Sequence, residues 1–294
     1  MTWRTVVLSH RAKVEYSMGY MVIREKEVHR IFMDEIHTVM ISTPSVAFTG
    51  VWVNECIRRK IKIIFCNEKH NPAGEIVPYW GSFDSSRQIR NQIQWKEENK
   101  KKVWQAIIKS KILHQIEVLQ DHGKEDAAAL LASYWEMVEE GDETNREGHA
   151  AKVYFNALWG KDFSRREEGL VNGALNYGYA ILLSACNRTI ASSGYLCQIG
   201  VFHDNIFNPF NLGSDLMEPF RPLVDRKVLS MEMGSELTVE NKKELINILN
   251  ETVMMEEKER TVEQVIGLYC RSVFRAIEEG NPAEISFYHL ADER

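Results

Sequence analysis

At 294 residues the chain has the length of one large or two ordinary domains, enough to bury a sizeable core. Its composition, 44% hydrophobic and 27% charged, is that of a soluble globular protein. No apolar run reaches the roughly 18–20 residues that cross a bilayer, and the N-terminal apolar stretch is too short for a signal peptide. A net charge of −6 speaks against a wholly basic nucleic-acid binder; five cysteines with no CxxC pair suggest neither a zinc site nor a full disulfide framework, so the chain reads as reduced and cytoplasmic.

Residues 5–42 read as strands separated by charged turns: Val6–Leu8, Met18–Ile23, Val28–Met33 and Ile36–Ile41, a pattern that predicts an antiparallel meander. Thr43-Pro44-Ser45 looks like a helix start capped by Ser45, with Val46, Val53 and Ile57 on the buried face and an end near Arg58-Arg59-Lys60. Ile61–Cys66 reads as a further strand and Asn67–Gly74 as turn. Residues 1–80 carry 11 basic and 8 acidic side chains, against 7 and 14 in residues 230–294. His10, Arg11 and Lys13, and later Arg58, Arg59, Lys60 and Lys62, are therefore candidates for phosphate contact, or else solvated turns and a helix end.

From Ser85 to about Leu119 the chain lacks Pro and Gly, and Ile89, Ile93, Val103, Ile107, Ile112 and Ile116 recur at helical spacing. The interleaved Arg87, Arg90, Lys96, Lys100–Lys102, Lys109 and Lys111, with Trp95 and Trp104, either track a nucleic-acid backbone or form the wet face of an amphipathic helix. A second helix is expected over Glu125–Glu139, and 141–146 is a polar break. Thr144 or Asn145 then caps a helix on which Glu147 shares a face with Ala151, Tyr154 and Leu158. A carboxylate on a packing face needs a partner. Gly148 beside it implies a close approach to the backbone; the plain alternative is an acid favoured by the helix dipole.

Residues 165–193 read as a long helix whose Gly169, Gly173, Ala174, Gly178 and Ala180 allow close packing, ended by Gly194. In the stretch Phe202–Pro222, His203 offers an imidazole, and Asp215 and Glu218 offer carboxylates that share one face if the stretch is helical. Such donors suit Mg²⁺ or Mn²⁺, although a core histidine followed by solvated acids would look the same. Arg221 faces phosphate or pairs with an acid such as Asp225. Residues 236–260 and 261–279 read as two acidic helices.

NREGHAAKVYF, LVNGALNYGYAILLS, GVFHDN and SDLMEPFRPLVD, in this order, resemble the CRISPR-associated integrase, the metal-dependent nuclease-integrase subunit of the spacer-acquisition complex. The wording NPFNLGSDLMEPFRPLVD is most like members from type II-A systems. The resemblance covers nearly the whole chain and implies an α+β fold: a small β-rich N-terminal domain with one helix (1–82, for dimerisation and DNA contact), then a larger all-α catalytic domain (83–294). It carries the metal ligands onto Glu147, His203 and Glu218, and a nearby acid of variable role onto Asp215. Many relatives have Asp in place of Glu218. The implied cofactor is Mg²⁺ or Mn²⁺. The implied reaction is attack of a protospacer 3′-OH on the leader–repeat phosphodiester of a CRISPR array. The implied partners are double-stranded DNA, a second copy of the chain, and a small ferredoxin-like subunit whose dimer is clasped by two such homodimers, with no membrane. Two alternatives stand beside this: a plain metal-dependent DNase, and a non-catalytic helical scaffold.

Overall fold

Alternating inward and outward residues make the first part of the chain a pair of sheets. A computed structural model describes residues 4–68, 72–76 and 82–289, and the chain divides into two compact units, Met1–Tyr79 and Trp80–Arg294. The first unit holds strands β1 (Arg4–Leu8), β2 (Ala12–Ser17), β3 (Tyr20–Arg24), β4 (Val28–Phe32), β5 (Ile36–Ile41) and β6 (Val46–Phe48), helix α1 (Gly50–Arg58), and strands β7 (Lys62–Cys66) and β8 (Pro72–Glu75). One sheet has the order β1-β5-β7-β8, the other β4-β3-β2-β6. Val14, Met21, Met33, Ile36, Val39, Trp52 and Cys56 are fully buried in the core of this unit.

Three expectations change here. Only β2–β3–β4 form an antiparallel meander; β1, β5 and β7 run parallel, because the chain crosses to the second sheet and back between them. The expected strand Met18–Ile23 forms as β3 but starts two residues later, because Met18 and Gly19, both at positive φ, make the turn that pairs Ser17 with Tyr20. The missed strand, β2, buries Ala12 and Val14 while Lys13 and Glu15 alternate outward. Finally, Val46–Phe48 extend a sheet rather than a helix, and α1 starts after Thr49, whose hydroxyl accepts the amide of Trp52 (3.4 Å). Of the expected turn at 67–74, residues 69–71 lie outside the described residues and Pro72 begins β8.

The second unit holds α2 (Ser85–Ile93), α3 (Glu97–Asp121), α4 (Glu125–Glu136), α5 (Arg146–Trp159), α6 (Leu170–Ser192), α7 (Asn211–Leu216), α8 (Arg221–Ser230), α9 (Val239–Asn247), the hairpin β9 (Thr252–Met255)–β10 (Lys258–Thr261), and α10 (Val262–Glu279). The long helix expected from Ser85 is two, broken where Trp95 turns inward against Tyr195 (centroids 5.7 Å apart). Of the expected helix through 236–260, α9 forms and the later part is the hairpin instead. Its turn places Glu256 and Glu257 at positive φ without the usual Asn or Gly, which hides it from the sequence.

Helix α3 is the axis of this unit and packs against α4, α5, α7, α8 and α10. It buries Asn99, Trp104, Ile108, Lys111, His114 and Gln115 as well as its aliphatic residues, so it has no long wet face. Gly178 on α6 lets α8 approach: a Cβ there would lie 2.4 Å from Val224. No described helix is long and apolar enough to cross a membrane.

Candidate active site

Glu147 sits in the first turn of α5, whose start is fixed twice. Asn145, at φ +52°, accepts the amide of Gly148 through Oδ1 (3.3 Å). The buried Asp142 accepts the amides of Arg146 (2.8 Å) and Glu147 (3.0 Å), satisfying donors that a helix start leaves unpaired. The close approach expected at Gly148 is therefore the cap itself: an added Cβ would lie 2.7 Å from Asn145 Oδ1.

His203 lies in the segment between α6 and α7, and Asp215 builds that segment. Fully buried, Asp215 accepts the amides of Val201 (2.6 Å), Phe202 (3.0 Å) and His203 (3.1 Å), and its Oδ1 lies 2.5 Å from His203 Nδ1. Gly200 makes this wrap possible, since a Cβ there would lie 2.3 Å from the His203 carbonyl and 2.7 Å from Asp215 Oδ2. From the other side Gln92 donates to the carbonyls of Leu196 (2.9 Å) and Ile199 (2.8 Å). The hydrogen bond to Asp215 raises the pKa of His203 above its ordinary value, against the opposing effect of burial. With Nδ1–H turned to the carboxylate, Nε2 is the nitrogen that faces away from it. Phe202 stacks flat on Trp104 (4.4 Å, 1°), and His203 meets the Trp104 ring edge-on.

Glu218 does not lie on one unbroken α-helix with Asp215. Pro219 has no amide to donate to the Asp215 carbonyl, so α7 ends at Leu216 and a 3-10 turn, Glu218–Phe220, follows. Asp215 turns to the His203 segment while Glu218, 5% exposed, turns to two cations. Its Oε1 accepts Arg221 Nε (2.8 Å) and its Oε2 accepts Lys111 Nζ (2.5 Å). Burial opposes the charge on Glu218, but Arg221 and Lys111 outweigh it and its pKa falls. The carbonyl of Pro219 accepts the Tyr288 hydroxyl (2.8 Å) and lies 2.9 Å from His114 Nδ1, which ties the turn to α3 and to the C-terminal segment.

Lys111 fits neither reading of the basic residues on this helix. Expected to track DNA or to lie on a wet amphipathic face, it is 5% exposed, and its ammonium pairs with Glu147 as well as Glu218. Burial disfavours its charge, yet the two glutamates outweigh that and raise its pKa. Nothing in the local pattern distinguishes it from its neighbours, since its burial depends on α5 and on the turn after α7. Arg221 pairs with Glu218, not with Asp225, and lies over the Tyr179 ring (4.6 Å). Asp225 instead accepts the Tyr179 hydroxyl, and burial raises its pKa to about 6.

Glu147 and Glu218 thus converge on one buried cation. His203 stands in the same electrostatic neighbourhood, close enough for its charge to act on Glu218. Among the described residues no three His, Cys, Asp or Glu side chains are gathered as they stand into a metal-holding group, and Lys111 occupies the meeting point of the two carboxylates. The donor set, two carboxylates and an imidazole, still fits a hard divalent cation, because both glutamates already point their oxygens at a positive charge. Beside Glu147 opens a cleft of about 780 Å³ lined by Lys100, Trp104, Asn145, Val201 and Phe202.

The profile of the family described as CRISPR associated protein Cas1 matches residues 5–264. A CRISPR-associated endonuclease Cas1 of Neisseria meningitidis serogroup C (strain 8013) is 34% identical over 263 residues, covering 88% of this chain and 86% of that one. A casposase bound to integration product shares the fold with a TM-score of 0.75 at 19% identity, over 95% of this chain and 91% of that one. A chain of a Cas6-RT-Cas1–Cas2 complex does so with a TM-score of 0.70 at 15% identity, over 99% of this chain and 36% of that one.

Proposed function

The chain belongs to the family of CRISPR-associated protein Cas1, and on that premise we propose that it is a metal-dependent DNA integrase and endonuclease that inserts short protospacer DNA into a CRISPR array. The observation that carries this reading is the convergence of Glu147 and Glu218 on one buried cation, next to an imidazole oriented by Asp215. The relative named as an endonuclease and the casposase named with its integration product support the reaction class.

In the proposed step a protospacer 3′-OH loses its proton and attacks the leader–repeat phosphorus; the bond to the array's own 3′-oxygen breaks, and that oxygen takes up a proton. No covalent protein intermediate is required. Glu147, His203 and Glu218 would hold Mg²⁺ or Mn²⁺, which supplies polarisation of the phosphate and stabilisation of the leaving oxygen when bound. Asp215 keeps His203 in the tautomer that presents Nε2, a role its four hydrogen bonds support.

Integration has two ends, so the sites act in pairs. The reading includes a homodimer formed through the β-rich unit, two such dimers clasping a small ferredoxin-like partner dimer, and double-stranded DNA across the assembly inside the cell. The structure named as a Cas1–Cas2 complex supports a partner of that kind. Arg90 on α2 and Lys96 just before α3 are exposed and suit phosphate contact better than Lys100 and Lys101, which pair with Glu97 and Glu143.

The test is strand transfer: the chain with its partner subunit, a 3′-OH duplex and a plasmid bearing a leader–repeat, with Mg²⁺ or Mn²⁺, beside His203→Ala. Metal-dependent joined product that disappears in the variant supports integration. Nicking without joining reduces the activity to hydrolysis.

A further inference from the structure

Lys111 has a role that neither DNA contact nor simple packing accounts for. Other lysines of α3 reach outward to partially exposed acids, as Lys100 does to Glu97 and Lys101 to Glu143. Lys111 reaches inward, and its ammonium alone among the described residues pairs with both Glu147 and Glu218. These two carboxylates come from the start of α5 and from the turn after α7. Without a cation between them they would face each other in a partly buried site, where like charges repel more strongly than in water.

The local charge balance points the same way. Glu147 and Glu218 carry two negative charges, Lys111 and Arg221 two positive ones, and the four close to neutrality. A divalent cation added to the same oxygens with Lys111 in place would leave an uncompensated +2 beside the buried Glu218 and the one-third exposed Glu147, a site with little water to offset it, which is costly. An ammonium is a compact point charge on a flexible four-carbon stem, and it addresses the same hard oxygen donors as Mg²⁺ or Mn²⁺. The two cations are therefore alternatives at one position.

Resting on the site proposed above, we propose that Lys111 is a positioning residue that serves as resident counter-ion. It holds Glu147 and Glu218 together while no divalent cation is bound, and it yields that position when one binds.

The full chain, melted in EDTA and across a MnCl₂ titration without DNA, tests this through stability as well as activity. In EDTA, Lys111→Met melts several degrees below the wild type. Mn²⁺ then raises its melting temperature more than it raises the wild type's, with a half-saturating concentration at least about tenfold lower, since no ammonium has to be displaced. An unchanged half-saturating concentration overturns the proposal. If Lys111→Met does not fold in EDTA, Lys111→Met with Glu147→Gln decides. Recovered folding assigns the loss to carboxylate repulsion, and failure to recover overturns the counter-ion role. A wild type that neither gains stability with Mn²⁺ or Mg²⁺ nor joins strands removes the functional reading instead, and the EDTA comparison then decides alone whether Lys111 holds the pair.

Discussion

The two units of the chain handle charge in opposite ways. In the β-rich unit the ion pairs lie mostly on the surface: Glu15 takes Lys13 (3.5 Å) from its own strand and Arg24 (2.6 Å) from the neighbouring β3, and Arg58 and Arg59 share Glu55. Lys62, buried and paired with Glu75, is the exception. In the helical unit Lys111, Asp215, Glu218 and Asp225 are all at most 5% exposed: Lys111 pairs with Glu218, Asp215 with His203 and three amides, and Asp225 with the Tyr179 hydroxyl. Exposed pairs exchange freely with water and contribute little. Buried charges cost several kcal/mol each to dehydrate, and losing one partner strands the other. A fold that gathers the second kind at one place gives up stability there.

The sharpest way to break this contrast is Glu218→Gln. It leaves the buried Lys111 with Glu147 alone and the partly exposed Arg221 without its carboxylate, so stability should fall by about 3–5 kcal/mol in urea titration and strand joining should vanish. An unchanged urea midpoint would place these charges in effective contact with solvent. Asp215→Asn comes next. It keeps the shape but cannot accept all four hydrogen bonds, so activity should drop about 10–100-fold, read as joined product.

The pH dependence sharpens the comparison further, because burial leaves its mark on titration. Burial, helped by the charge of Asp121, raises the Glu117 pKa to about 7 from an ordinary 4.5. The folded state then holds a proton that the unfolded chain releases, so this contribution is full below about pH 4.5 and lost as pH rises through about 7. Glu117→Gln should therefore gain on the order of 1–3 kcal/mol at pH 8 and nothing at pH 4, measured by thermal melts. His114 works in the other direction. Burial lowers its pKa to about 4 from 6.5, so its contribution is present above pH 6.5 and lost as pH falls through about 4.

Smaller effects follow. Tyr288→Phe removes one hydrogen bond to the Pro219 carbonyl and should cost about 1 kcal/mol in the same melts. Arg24→Ala on the outward face of β3 should leave the melting temperature unchanged; a clear loss would put the surface pairs on the same footing as the buried ones.

Much of the local structure was legible before the fold was known. Ile36–Ile41 and Ile61–Cys66 read as strands because apolar, β-branched residues run between charged turns. Asn145 read as a cap and Gly194 as a stop for the same kind of local reason. Val46–Phe48 was lost to a false cap at Ser45, and the β9–β10 turn to a pair of glutamates in place of Asn-Gly. The candidate site was legible as a set of candidate residues and not as a set of neighbours. Glu147, His203, Asp215 and Glu218 stood out by their motifs, while the spacing of Asp215 and Glu218 pointed to one helical face that Pro219 divides.

What the sequence by itself determined is whatever depends on neighbours within about two turns: helices, caps, breaks, and the motifs that carry the family. The tertiary structure alone decided the parallel pairing of β1, β5 and β7, the burial of α3 on several sides, and the meeting of Lys111 with Glu147 and Glu218. A lysine looks the same in a local pattern whether it faces water or a carboxylate pair. Which it faces is settled by elements far away in the chain, once their packing has removed the water between them.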